Sequence, residues 1–300
     1  MKLKITLILQ SVFLCILLIA PSAYAIEVTA NTDANDLADA ITAGGGTGIT
    51  VTGTNLSANT FPPGGPPVPV PPERVSSGTY TNDSGTYGIG PGIILSSGNV
   101  KDYGDGPNEF VGNTTAYDEP ATAQQEILLD QITGGSLDHF DVTQFDIAFD
   151  MQAGFDTVFF NVAWGSEEYD EFVGSPFIDA FGLFVNGTNI ASVDGFPVNV
   201  DHPEMAFISG TELNGLLAPD GNPVNLFSAF VGEGSTDNLL TFIIADSADD
   251  IYDSTVYISA LGGTEPPPPN GAVPEPATLL LVGSGLVGLA GLGRRKFSKK

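Results

Sequence analysis

Two runs of carboxylates and one isolated aspartate carry what chemistry this sequence offers. Glu167, Glu168, Asp170 and Glu171 crowd the end of one apolar run, Asp179 heads the next, and Asp246, Asp249, Asp250 and Asp253 separate two more. Carboxylates gathered this densely repel one another unless a cation lies among them. Calcium suits them, because it takes about six to eight hard oxygen ligands in a flexible shell, from side chains and loop carbonyls alike. The expectation is one or two structural Ca²⁺ ions, held by some of Glu167, Glu168, Asp179, Asp246 and Asp253. The Asp246-x-x-Asp249 spacing is not the alternating-ligand loop of an EF-hand. Solvated acidic loops without an ion account for the same residues.

Catalysis finds few candidates. His139 and His202 are the only histidines, and Cys15, the only cysteine, lies in the apolar leading segment. A Cys–His nucleophile is thereby excluded, no Gly-x-Ser-x-Gly elbow exists for a Ser–His–Asp site, and no His-Glu-x-x-His zinc motif occurs. Both histidines read as surface-loop residues. Paired carboxylates serve glycosidases, and Glu167 or Glu168 would be the candidates, but neighbours on a strand point to opposite faces. The reading is therefore non-enzymatic, with no catalytic residues. Trp164 ends an apolar run and is read as core rather than as a sugar-stacking platform.

The elements that must position the acids are mainly strands. Phe145, Ile147 and Phe149 alternate with Asp146, Ala148 and Asp150, and Thr157–Trp164 is apolar on both faces, as a central strand would be. Ala180–Val185 ends at Asn186-Gly187, a hairpin signal, with a return over Asn189–Val193. Ile49–Thr54, Gly92–Gly98, Leu239–Ala245 and Thr255–Leu261 are further strands. Two short helices are expected. One spans Thr32–Ala43, capped by Asn31 or Thr32; the other spans Glu119–Gln131, with Ala123, Ile127, Leu128 and Ile132 at helical spacing. Short strands separated by Gly, Asn and Asp predict an all-β, jelly-roll-like antiparallel β-sandwich over 26–264, its ends capped by the helices. A Pro-rich loop insert occupies 61–72 and a Pro-rich linker 265–272.

Charge and the two termini bound the location. Between Ile26 and Val273 the sequence holds 35 acidic residues and two basic ones, Arg74 and Lys101. Such a surface repels nucleic acid and anionic membranes and favours divalent cations. Residues 1–25 read as a signal peptide: Lys2 and Lys4, an apolar run from Ile5 to Ala20, then Ser22-Ala-Tyr-Ala25, with signal peptidase cutting after Ala25. The mature chain then lacks cysteine and must stand on core burial, helped or not by metal. At the other end an apolar, glycine-containing segment over 277–292 precedes Arg294, Arg295 and Lys296, a basic stop-transfer signal that leaves the domain outside.

Two resemblances follow. Val273, Pro274, Glu275 and Pro276, the transmembrane segment behind them and the basic tail 294–300 resemble a PEP-CTERM sorting signal. That resemblance implies processing by exosortase in a Gram-negative host that makes exopolysaccharide. It also implies transient anchoring in the inner membrane, with the domain in the periplasm, before transfer to the cell surface or matrix. Gly92–Gly98 with Gly106-Pro-Asn108, Phe160–Val173, Asp179–Phe184 and Asp246–Ile258 resemble the choice-of-anchor L domain. This resemblance implies an extracellular domain, a surface or biofilm component; the competing expectation is a lectin-like carbohydrate-binding module, with a glycoside hydrolase behind it.

Overall fold

The computed structural model describes residues 26–43, 47–60, 74–104, 108, 112–135 and 137–266. The expected signal peptide, the Pro-rich insert, most of the linker and the sorting tail lie outside the described residues. No described helix is long and apolar enough to cross a membrane.

Two sheets face each other. The larger holds β1 (Glu27–Ala30), β3 (Ser77–Thr81), β4 (Gly92–Ser96), β15 (Ser254–Gly262), β6 (Thr157–Ser166), β12 (Gly215–Leu217) and β11 (Met205–Ala206), in that order. Beside β12, strand β13 (Asn225–Phe230) also pairs with β6. The smaller runs β2 (Ile49–Ser57), β5 (His139–Met151), β14 (Asn238–Ser247), β7 (Ala180–Val185) and β8 (Thr188–Asn189). All these pairings are antiparallel. A separate ribbon joins β9 (Ser192–Val193) to β10 (Phe196–Pro197). From β4 onward the long strands β4, β5, β6, β7, β13, β14 and β15 alternate between the sheets, the step expected of a jelly-roll-like sandwich.

The inward rows form one apolar interior. Phe145, Ile147, Phe149, Phe181, Leu183, Leu240, Phe242 and Ile244 of the smaller sheet meet Ile93, Leu95, Phe160, Val162, Trp164, Val256 and Ile258 of the larger. Trp164 is fully buried, as its sequence context predicts. The outward face of β6 and β15 is buried as well, with Ala163 and Tyr257 packed among Tyr80, Tyr103 and Leu216. That double burial explains why β6 lacks alternation. The Asn186-Gly187 turn forms with φ of 51° and 79°, and β8 is only two residues long, shorter than the expected return.

Both helices exist with shifted details. α1 (Ala34–Thr42) is capped by Asp33, whose side chain accepts from the Asn35 and Asp36 amides; Asn31 accepts from the Asp33 amide instead of capping. Leu37, Ala38 and Ile41 of α1 enter the interior between the sheets. α2 (Ala123–Thr133) starts four residues later than expected. Pro120 is held in an extended bridge to Phe140, and proline also disfavours helix at Glu119. Thr122 and Gln125 close a capping box in its place. α2 does not cap a sheet end. It lies on the outer face of the smaller sheet through Leu129 and Ile132, beside Phe184 and Ile243, while Ile127 faces solvent.

Candidate metal centre

Period two carries the inward rows past the apolar interior and into acid. In β14 the row Leu240, Phe242, Ile244 is followed by Asp246, where the ladder to β5 slips by a bulge between Ile244 and Asp246. In β7 the row Phe181, Leu183, Val185 is preceded by Asp179, and in β5 the row Phe145, Ile147, Phe149 extends back through Thr143 to Asp141. In β6, Trp164 is followed in its row by Ser166, with Glu167 and Glu168 just beyond. Asp253 stands immediately before β15. One end of the sandwich interior is therefore lined with carboxylates.

All five sequence-predicted residues arrive there, and all are buried: Glu167 and Glu168 at 1% exposure, Asp179, Asp246 and Asp253 at 0%. The loops are stitched together by backbone. The Glu167 amide donates to the Asp253 carbonyl, 3.0 Å, and the Asp253 amide to the Asn113 carbonyl, 3.0 Å. Asp253 accepts from the Thr115 amide at 3.0 and 3.1 Å and from the Tyr103 hydroxyl at 3.3 Å. It rests on Gly98, where a Cβ would overlap its carboxylate. Asp179 accepts from the Ser247 amide, 3.2 Å, and the Ser254 hydroxyl, 2.8 Å. Glu168 accepts from the Asp179 amide, 3.4 Å, and Glu167 Oε2 from the Gly112 amide, 3.1 Å.

Asp246 is different. Neither of its carboxylate oxygens has a hydrogen-bond partner, and Glu167 Oε1 is likewise unpartnered. The Ser97 hydroxyl lies near Asp246 and favours its ionised form. That hydroxyl is nevertheless engaged with Ser254, accepting from its amide at 2.9 Å and reaching its carbonyl at 3.5 Å. The geometry therefore weighs against a formed bond to Asp246.

Burial raises every one of these acids above the ordinary carboxylate range, and neighbouring carboxylates add to it. Glu167 and Glu168 are pushed to about 8 and Asp253 to about 7. Asp179, with Glu168 beside it, and Asp246, with Asp179 and Asp253 beside it, are raised well above their usual value. A buried charge without compensation is among the costliest arrangements a protein can hold.

The sequence reading missed Asp141. It is fully buried at a φ of 52°, accepts from the Tyr117 and Glu119 amides at 2.7 and 3.0 Å, and is raised by burial to about 6. Extending the β5 alternation two steps toward its N-terminus would have found it. Asp249 and Asp250 lie at the margin, both partly exposed. Asp170 and Glu171 are exposed and line a neighbouring cleft of about 440 Å³ with Asn108, Tyr169, Phe207 and Asn214.

The fit to a cation has a limit. No three of the five bring carboxylate oxygens within 4.8 Å of one another; among the described residues only Glu126, Asp130 and His139 form such a triad. Ligands about 2.3–2.6 Å from one ion lie within roughly 5 Å of each other. In this geometry an ion takes at most two of the five acids and fills its shell from loop carbonyls, hydroxyls and water.

Both histidines correct the surface-loop expectation. His139 is fully buried on β5, and His202 is 3% exposed. His202 uses both ring nitrogens, Nε2 with the Val193 carbonyl at 3.0 Å and Nδ1 accepting from the Glu204 amide at 3.1 Å. Among the described residues neither imidazole is bonded to a serine.

An all-β sandwich carrying acidic loops at one end matches known families at two places. The choice-of-anchor L domain matches residues 27–213, more than half of the chain, and the PEP-CTERM protein-sorting motif matches residues 272–296. The chain belongs to the choice-of-anchor L domain family, and it carries an exosortase sorting signal, so it is an exported protein processed at a membrane. No curated protein matches it. Among solved structures, the secreted serine protease VesC from Vibrio cholerae aligns at 10% identity over 73% of this chain and 45% of its own, with a TM-score of 0.21. The catalytic domain of Agl-KA aligns at 13% identity over 52% of this chain and 28% of its own, with a TM-score of 0.20. The chain thus spans less than half the length of either, and likenesses this weak carry no argument about fold or activity.

Proposed function

We propose that this protein is a non-enzymatic component of the cell surface or extracellular matrix whose loop end is closed by bound calcium after export. The observation that carries the reading is Asp246, wholly buried among other acids with both oxygens unpartnered. Oxygen ligands suit calcium, and an ion bound only by the folded state stabilises it by mass action. Lacking a cysteine in the mature chain, the domain has no disulfide to do this work. Melting the purified protein with millimolar Ca²⁺ and with chelator tests it. A higher midpoint with calcium is expected, and identical transitions overturn the reading.

A second reading rests on the cleft beside the acids. Tyr169 and the 65%-exposed Phe207 offer aromatic faces, and Asp170, Glu171, Asn108 and Asn214 offer hydroxyl-binding groups. That combination suits a saccharide and supports a lectin-like hold on exopolysaccharide. Saturable binding on a glycan array, lost in Phe207→Ala, is expected from it; an array with no binder removes it.

A further inference from the structure

The outer face of the smaller sheet carries a second cluster with different chemistry. Glu126 and Asp130 lie one turn apart on α2, and His139 begins β5 beneath them. Their ligand atoms all fall within 4.8 Å of one another. We propose that Glu126, Asp130 and His139 bind a divalent transition metal of the zinc class, independently of the calcium reading.

Three observations support this. The first is a proton inventory around His139. The Thr133 hydroxyl lies 3.3 Å from the Leu129 carbonyl and 3.2 Å from His139 Nε2; with its proton on the carbonyl it accepts from Nε2–H, the tautomer that frees Nδ1 as a ligand. Nδ1 lies 2.6 Å from Glu126 Oε2, so a proton lies between them without metal, and an ion would displace that proton as the two atoms part slightly. An outer nitrogen held by a hydroxyl while the other meets the metal is how ligating histidines are oriented.

The second is Asp130. It sits in the last turn of α2, where the helix dipole disfavours an anion and no basic residue compensates, one turn from another carboxylate. An ion shared by the two acids reverses both penalties. The third is access combined with order. His139 is fully buried and Glu126 also accepts from the His139 backbone amide, 3.1 Å, so the pair is preorganised. Asp130 is exposed and Glu126 is 28% exposed, which leaves a route for ion and water. One imidazole and two carboxylates with an open position favour zinc-class metals over calcium, which prefers oxygen alone.

Titration of the full chain with Zn²⁺ in saturating Ca²⁺ tests the proposal, with Co²⁺ absorption reporting nitrogen ligation. His139 and His202 are the chain's only histidines, and His202 has both ring nitrogens engaged. One saturable site is expected. Asp130→Asn, an exposed change that leaves the His139–Glu126 contact intact, should weaken it about tenfold or more. Glu126→Gln should do the same, His139→Gln should abolish the Co²⁺ signal, and His202→Gln should leave it unchanged. Absence of saturable Zn²⁺ binding, or equal binding in Asp130→Asn and wild type, overturns the proposal.

Discussion

Strand β6 and the turn that follows it are buried for different reasons. From Thr157 to Trp164 its side chains meet other apolar side chains, and Phe160 stacks on Phe227 and meets Phe242 edge to face. The strand stands on surface removed from water, which needs nothing from outside the chain. Past its end at Ser166 the chain runs into Glu167 and Glu168, whose charges face further carboxylates. The turn is complete only when protons or cations arrive. The same backbone thus joins a self-sufficient interior to a conditional one.

The sharpest way to break the contrast is to cut each part. Trp164→Ala should cost about 3–5 kcal/mol whether calcium is present or not, because it opens a cavity in the interior. Asp246→Asn should instead remove the calcium effect and leave the metal-free protein as stable as wild type or more so. The lost stabilisation is about 2.7 kcal/mol at a hundredfold excess over Kd. Paired melts in calcium and chelator read both, and equal calcium responses in wild type and Asp246→Asn would show that Asp246 is not a ligand.

Gly98→Ala should push Asp253 aside, because the new Cβ overlaps its carboxylate, at about 1–3 kcal/mol. Its calcium response should shrink as well. Without metal, pH should have a definite sign. Glu167 and Glu168 at about 8 and Asp253 at about 7 hold protons that the unfolded chain, near 4.5 and 3.8, releases. Metal-free stability from these groups is then greatest below about 3.8 and declines as pH rises to about 8, by about 1.4 kcal/mol per unit for each extra proton held. Saturating calcium should flatten that slope; a metal-free protein equally stable at pH 5 and pH 8 would contradict it. The smallest effect is Phe207→Ala, within about 0.5 kcal/mol on stability because the ring is exposed.

Much of this was legible in residue order. Alternation in β5, the unbroken apolar run of β6 and the Asn186-Gly187 turn each follow from one local rule, and so the sandwich could be read. Four of the five acids stand out by their density, and Asp179 by its place at the head of an apolar run. Burial was harder to read, because a carboxylate run looks the same whether it meets water or the end of a core. Asp246 and Asp141 show the missing step: continuing the inward row past its last apolar member. The histidines were misread for a related reason. His139 lies at a strand start whose covering helix is set by Pro120 and the Thr122 cap, and neither indicates which sheet face α2 will cover.

The position of β15 makes the larger sheet depend on the last described strand. β15, the last strand among the described residues, is central in the larger sheet, with β4 on one side and β6 on the other. The larger sheet is complete only with β15 in place, through Gly262, and the sorting motif matches from residue 272, about ten residues later. Without β15, β4 and β6 lack the strand that lies between them. A chain cut short before β15 would therefore carry two unpaired strand edges in the middle of its larger sheet, the kind of edge that recruits other chains.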